Sequence, residues 1–192
     1  MNKKHIITIA GKLGSGKSST SKMVASLLNY EHASTGDFMR NMADERGMKL
    51  DELSKIAEAD DSVDITIDNY TRELGKKNNL VIDSRLGFYF IPESFKIFLE
   101  LDPETASKRI LEDKKSNPSR HTEASNFDTK ENIKEKSISR LNSERKRYKD
   151  LYNIEDHTDH SNFDLVIDTS KIPLEEVSKK VVEEYKNWLN QS

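Results

Sequence analysis

Apolar positions along the chain fall into two alternating patterns. Five short runs rich in β-branched and aromatic residues read as strands, at about His5 to Ala10, Tyr30 to Ser34, Leu80 to Asp83, Lys96 to Leu101 and Asp164 to Asp168. Between them apolar residues return every three or four positions, as in "SSTSKMVASLLN", where Met23, Val24, Leu27 and Leu28 form a helical stripe. Strands alternating with helices predict an α/β fold: a five-stranded parallel sheet in three layers, helices on both faces, and ligand chemistry at the carboxyl ends of the strands. No internal repeat and no long Pro/Gly linker interrupts the pattern, so residues 1–192 are expected to form one domain. The least apolar segment, "EDKKSNPSRHTEASNFDTKEN", follows the helical "ETASKRI" and predicts a short lid over about 112–133.

The first strand runs directly into "GKLGSGKSST", which fits the phosphate-cradling pattern G-x-x-x-x-G-K-[ST] at Gly11, Gly16, Lys17 and Ser18. A strand before it and a helical stripe after it supply the context that the pattern requires. The loop Gly11, Lys12, Leu13, Gly14, Ser15, Gly16, with Lys17, Ser18 and Ser19 opening the helix, can turn successive backbone N–H groups onto phosphate oxygens. Lys17 would neutralise the β- and γ-phosphate oxygens and the Ser18 hydroxyl would ligate Mg²⁺. The chain is therefore expected to bind ATP with Mg²⁺ as its cofactors.

Three further stretches bear on what receives the phosphoryl group. "ASTGDFMR" follows the second strand, and its Arg40 has the planar fork that grips phosphate, although Thr35 or Asp37 could equally cap a helix there. "VIDSRLG" ends the third strand and delivers Asp83 and Arg85 close to the phosphate loop, where Asp83 would hold Mg²⁺ or its water and Arg85 an acceptor phosphate. "IKEKSISRLNSERKRYKDLYN" is helical, with Ile133, Ser137, Ile138, Leu141, Tyr148 and Tyr152 in a partly apolar stripe and Arg140, Glu144 and Arg147 on another face. Their spacing lets those three converge on one ligand or form a plain salt-bridge ladder.

"STGDFMR" resembles the acceptor-binding signature of nucleoside monophosphate kinases. In adenylate kinases the arginine after the third strand comes later and a base-reading glutamine follows it; here Arg85 stands two residues past Asp83. That arrangement, with "LG" behind it and "IPESFKIFLELDPETASKRI" after it, is similar to cytidylate kinases, and the chain resembles their compact, archaeal-type form over essentially its whole length. The resemblance implies that residues about 36–75 form the acceptor-binding segment, with Thr35 facing the base, Gly36 and Asp37 beside it and Arg40 on the acceptor phosphate. It implies that Arg140 and Arg147 reach the transferring phosphoryl and the acceptor phosphate, catalytic roles shared with Lys17, and that Glu144 accepts from the cytosine amino group. Arg109 and the loop "TSKIP" would flank the donor nucleotide.

Composition narrows this picture little. Apolar and charged residues each make up 34%; the absence of cysteine excludes disulfides and thiolate metal sites, and the formal charge of −3 argues against a wide nucleic-acid face. No signal peptide or membrane span is legible, so a cytoplasmic monomer acting on small-molecule nucleotides is expected. "DHTDH" imitates a metal cluster but reads better as a solvated turn. The expected reaction is transfer from ATP to CMP, with dCMP as a further acceptor. Another nucleoside monophosphate, a nucleoside with Asp83 as base, or a regulatory module that binds nucleotide without turnover are the alternatives.

Overall fold

The computed structural model describes residues 3–116 and 129–191. Residues 117–128, most of the expected lid, lie outside the described residues. Five parallel strands, β1 (Ile6–Gly11), β2 (Glu31–Ser34), β3 (Leu80–Asp83), β4 (Phe95–Glu100) and β5 (Leu165–Asp168), form one sheet in the order β2-β3-β1-β4-β5. Each lies within about one residue of its expected span; the central β1, β3 and β4, buried on both faces, read as near-continuous apolar runs.

The connections are helices: α1 (Lys17–Leu28), α2 (Thr35–Glu45), α3 (Leu50–Ala59), α4 (Ser62–Leu74), α5 (Gly87–Phe90), α6 (Pro103–Ser116), α7 (Lys130–Tyr152) and α8 (Leu174–Asn190). On one face of the sheet Ile7, Ile9, Ile97 and Leu99 pack with Val24 of α1 and with Val177, Val181 and Tyr185 of α8. On the other, Ile6, Leu80 and Ile82 meet Leu74 of α4 and Ile91. Helices α2, α3 and α4 bury a separate cluster of Met42, Ala43, Leu53, Ala57 and Val63. At about 25 cal/mol per Å² of apolar surface, each such buried aliphatic side chain is worth about 1.5–3 kcal/mol, so the layers need no covalent staple.

The register brings the chemistry together. Asp83 stands opposite both Ser34 of β2 and Ile9 of β1, so the end of β3 lies between the start of α2 and the loop after β1. The chain leaves β1 toward β2 on one side and returns to β4 on the other, and the crevice at such a switch point is where ligands bind.

Candidate active site

The loop between β1 and α1 is held open by its glycines. Gly11 has φ +152°, and a Cβ there would lie 2.5 Å from the Leu99 carbonyl oxygen of β4; Gly16 has φ +85° at the head of α1. Side chains are strained in both conformations, and the outcome is a ring of backbone N–H groups at a helix N-terminus. Lys17 Nζ donates to the carbonyls of Gly11 and Lys12, at 2.9 and 3.1 Å. Burial drives its pKa down to about 8, against the pull of Asp83. An ammonium that has given up water for two neutral carbonyls gains most from a phosphate oxygen.

Ser18 Oγ donates to Asp83 Oδ2 at 2.6 Å. One hydroxyl and one carboxylate at hydrogen-bond distance beside a phosphate loop form a hard oxygen donor pair of the kind that Mg²⁺ takes together with phosphate oxygens, so the residues present fit the ion. Ser34 is the cap of α2, accepting from Asp37 N at 3.1 Å, where sequence offered Thr35 or Asp37 for that task. Thr35 instead donates to the Asp83 carbonyl at 3.2 Å and so ties α2 to β3. Arg40 pairs with Asp37 at 2.5 Å one turn along α2, next to Gly36.

A cavity of about 320 Å³ is lined by Leu13, Gly14 and Gly16 to Ser19 of the loop, with Ser34, Thr35, Gly36, Arg40, Asp83, Arg85, Arg109 and Arg140. Arg109 reaches over to the segment after β5, donating to the Thr169 carbonyl at 2.6 Å, while Thr169 Oγ1 bonds the Ser15 carbonyl at 3.2 Å. A second cavity of about 570 Å³ adjoins the first through Leu13, Arg85 and Arg140. Phe98, Leu101, Ile133 and Leu141 wall it, and Glu144 and His157 stand among its polar residues.

The helix α7 contributes differently from expectation. Both Glu144 oxygens carry guanidinium partners, Arg85 Nε at 2.9 Å and Arg140 Nε at 3.0 Å, with His157 Nε2 at 3.5 Å. Burial alone would raise this carboxyl, but Arg85, with His157 and Arg140, outweighs it and holds Glu144 far below the usual carboxylate range. The face shared by Arg140, Glu144 and Arg147 divides at its end. Arg147 turns to Asp64 of α4, with Nε 3.4 Å from Oδ2, and is not among the residues lining either cavity.

"DHTDH" is also a correction. The expected solvated turn is not what forms there: His157 is buried against Glu144 and the Tyr148 ring. Its burial had no local signal, since its partners come from α7. The same is true of Asp64 and Asp68 of α4, buried against Arg147 and Tyr152 of α7.

Residues 6–171 match the cytidylate kinase-like family. A cytidylate kinase of Methanocaldococcus jannaschii is 39% identical over 90% of this chain and 92% of its own, and one of Haloarcula marismortui is 36% identical over 86% and 81%. A longer relative from Lacinutrix mariniflava, an S-adenosylmethionine-dependent nucleotide dehydratase, is 36% identical over 93% of this chain, which spans only 35% of that protein. Among solved structures, shikimate kinase from Bacteroides thetaiotaomicron has the same fold, with a TM-score of 0.64 at 14% identity over 96% of this chain and 97% of that one. A phosphate loop, a hydroxyl–carboxylate pair behind it and arginines facing it across the sheet edge, carried on a chain matched over most of its length, place this protein in the cytidylate kinase-like family.

Proposed function

We propose that the protein transfers the γ-phosphoryl group of ATP to the 5′-phosphate of CMP, and of dCMP, giving the corresponding diphosphate, as a cytoplasmic step of pyrimidine nucleotide metabolism. The observation that carries this reading is the set Arg40, Arg85 and Arg140 lining the same cavity as Lys17. So many fixed cations suit an acceptor that is itself an anion. A phosphate is ionised near neutral pH and needs charge neutralisation more than a general base. A sugar hydroxyl would need a free carboxylate, whereas Asp83 is engaged by Ser18.

In this reading Lys17 leaves the Gly11 and Lys12 carbonyls for the β- and γ-phosphate oxygens, and the loop N–H groups hold the remainder of the donor phosphates. Ser18 and Asp83 would hold Mg²⁺, which when bound would neutralise charge on the donor phosphates. Arg40 and Arg85 grip the acceptor phosphate from α2 and the end of β3. Arg140, at the junction of the two cavities, faces the phosphoryl in transit. Glu144 fixes the guanidinium planes of Arg85 and Arg140, so that no reorganisation is needed when charge shifts between the two phosphates. Arg109 steadies the segment after β5 on the donor side.

The test is ADP release with Mg·ATP and CMP, dCMP, UMP, AMP, GMP or dTMP, alongside the unphosphorylated nucleosides. Selective turnover of CMP and dCMP is expected. Turnover of nucleosides alone would recast Asp83 as a general base, and binding of ATP without any turnover would leave a nucleotide-binding module.

A further inference from the structure

The larger cavity, about 570 Å³, is not used by the transfer reaction beyond its junction with the phosphate cavity. Its volume falls in the range of small-molecule sites, and it is built like one, with apolar walls and a few polar groups converging at one end. Leu13 of the phosphate loop, Phe98 of β4, Leu101 just after it, and Ile133, Ile138 and Leu141 of α7 supply the apolar surface. Ile138 stands exposed at the lip, so apolar surface continues from the hollow to its mouth. Water in such a space finds few hydrogen bonds, and an apolar body displaces it favourably.

The charges around the cavity do not balance. Five cations line it, Lys12, Arg85, Lys134, Arg140 and Arg145, against two carboxylates, Glu100 and Glu144. Three of the cations are matched: Lys12 by Glu100 at 2.5 Å, Lys134 by Glu104 at 3.0 Å and Arg145 by Asp156 at 2.7 Å. Arg85 and Arg140 share Glu144. In the same wall His157, only 4% exposed, has Nε2 3.5 Å from that carboxylate, and its Nδ1 has no hydrogen-bond partner among the described residues. The inner end of the cavity thus combines a surplus positive charge with an orphaned buried polar atom, and an orphan of this kind calls for an explanation.

We infer that this cavity is an effector site for an aromatic monoanion, its rings lying against Phe98 and α7 and its anionic group pairing with Arg140 where the two cavities meet. The charge of the ligand follows from the surplus guanidinium, since a cation of the same shape would be repelled and an uncharged ligand would forgo the ion pair. Its aromatic character follows from the wall, where the rings of Phe98 and His160 lie 5.6 Å apart at 45° and leave ring surface to pack on. The site touches the reaction at one point. An anion on Arg140 occupies a guanidinium that faces the acceptor phosphate, so the effector competes with CMP and not with ATP. That consequence, unlike the binding itself, rests on the kinase reading above.

The test is calorimetric titration of the full chain with anilinonaphthalene sulfonate, an aromatic monoanion, and with phenylnaphthylamine, the same ring skeleton without the sulfonate. One sulfonate per chain is expected, with the neutral probe bound roughly tenfold more weakly, the worth of one charge-assisted contact. Leu141→Trp fills the space with an indole and is expected to abolish binding of both probes. Ile138→Glu, at an exposed position where folding is not at stake, is expected to weaken the sulfonate and spare the neutral probe. Equal affinity for the two probes overturns the anionic assignment, and unchanged sulfonate binding in Ile138→Glu and in folded Leu141→Trp overturns the site. Saturating CMP is expected to displace the sulfonate and Mg·ATP to leave it bound. Displacement by Mg·ATP alone would seat the probe on the donor side and overturn the site too. If the probes behave as expected while no nucleotide is turned over, the kinase reading fails and the site stands.

Discussion

Arg40 and Arg85 reach the phosphate cavity from different elements, one from the second turn of α2 and the other from the end of β3, and neither is part of the loop that holds the donor. Replacing either with alanine is expected to raise the KM for CMP by roughly 10- to 150-fold, the worth of one charge-assisted contact of about 1.5–3 kcal/mol, while the KM for ATP stays nearly unchanged. Steady-state kinetics with each substrate varied in turn decide this, and an equal rise in both constants would count against it. Asp68 offers a second check at this scale. Burial raises its carboxyl from 3.8 to about 6. The folded protein then binds this proton more tightly than the unfolded chain, so its contribution to stability is greatest below pH about 4, declines as pH rises to about 6 and is constant above. Asp68→Asn removes that decline, and its stability relative to wild type is expected to improve by about 1–3 kcal/mol between pH 4 and pH 7, with no further change to pH 8. Denaturant melts of the two proteins across that range make the comparison, and a constant difference would show that Asp68 titrates as it does in water.

Among elements, α7 is the one that joins the others. Glu144 links it to Arg85 after β3, Arg147 and Tyr152 to α4, Ser143 to Glu58 of α3 at 2.8 Å, and Lys130 and Lys134 to Glu104 of α6 at 2.7 and 3.0 Å. These ties differ in worth. The Glu104 pairs are exposed and screened, so Glu104→Ala is expected to leave stability nearly unchanged. Glu144 is buried between two guanidinium groups, and neutralising it as Glu144→Gln leaves charges unpaired; a loss of about 3–5 kcal/mol is expected, with kcat/KM for CMP down at least tenfold. Thermal melts of both variants separate the cases, and similar losses would mean that α7 is held by packing alone. This contrast also marks what the sequence could reveal about α7. Its helical period put Arg140, Glu144 and Arg147 on one face, but period names a face and not a partner, so the division between Arg85 on one side and Asp64 on the other had no local sign. Ile138, placed in the apolar stripe by the same period, is 60% exposed at the lip of the larger cavity.

At the scale of the whole molecule, the layered sheet was legible because its central strands β1, β3 and β4 are buried on both sides and read as apolar runs. The phosphate loop was legible because Gly11 and Gly16 occupy backbone conformations open to few residues, which ties a motif to a geometry. Burial of His157, Asp64 and Asp68 was not, since each depends on a side chain contributed from elsewhere in the fold. Strand register is what joins the readable parts: with Asp83 opposite Ser34 and Ile9, the phosphate loop, the start of α2 and Arg85 meet at one edge. An arrangement of Lys17 on one side and Arg40, Arg85 and Arg140 on the other implies a reaction between two phosphates. Incubation with Mg·ATP labelled at its γ-phosphate and with unlabelled CMP tests that implication most directly. The account predicts label in the β-phosphate of CDP, matched one for one by ADP. Label appearing only as inorganic phosphate, or in CMP when cytidine is supplied in place of CMP, would contradict it.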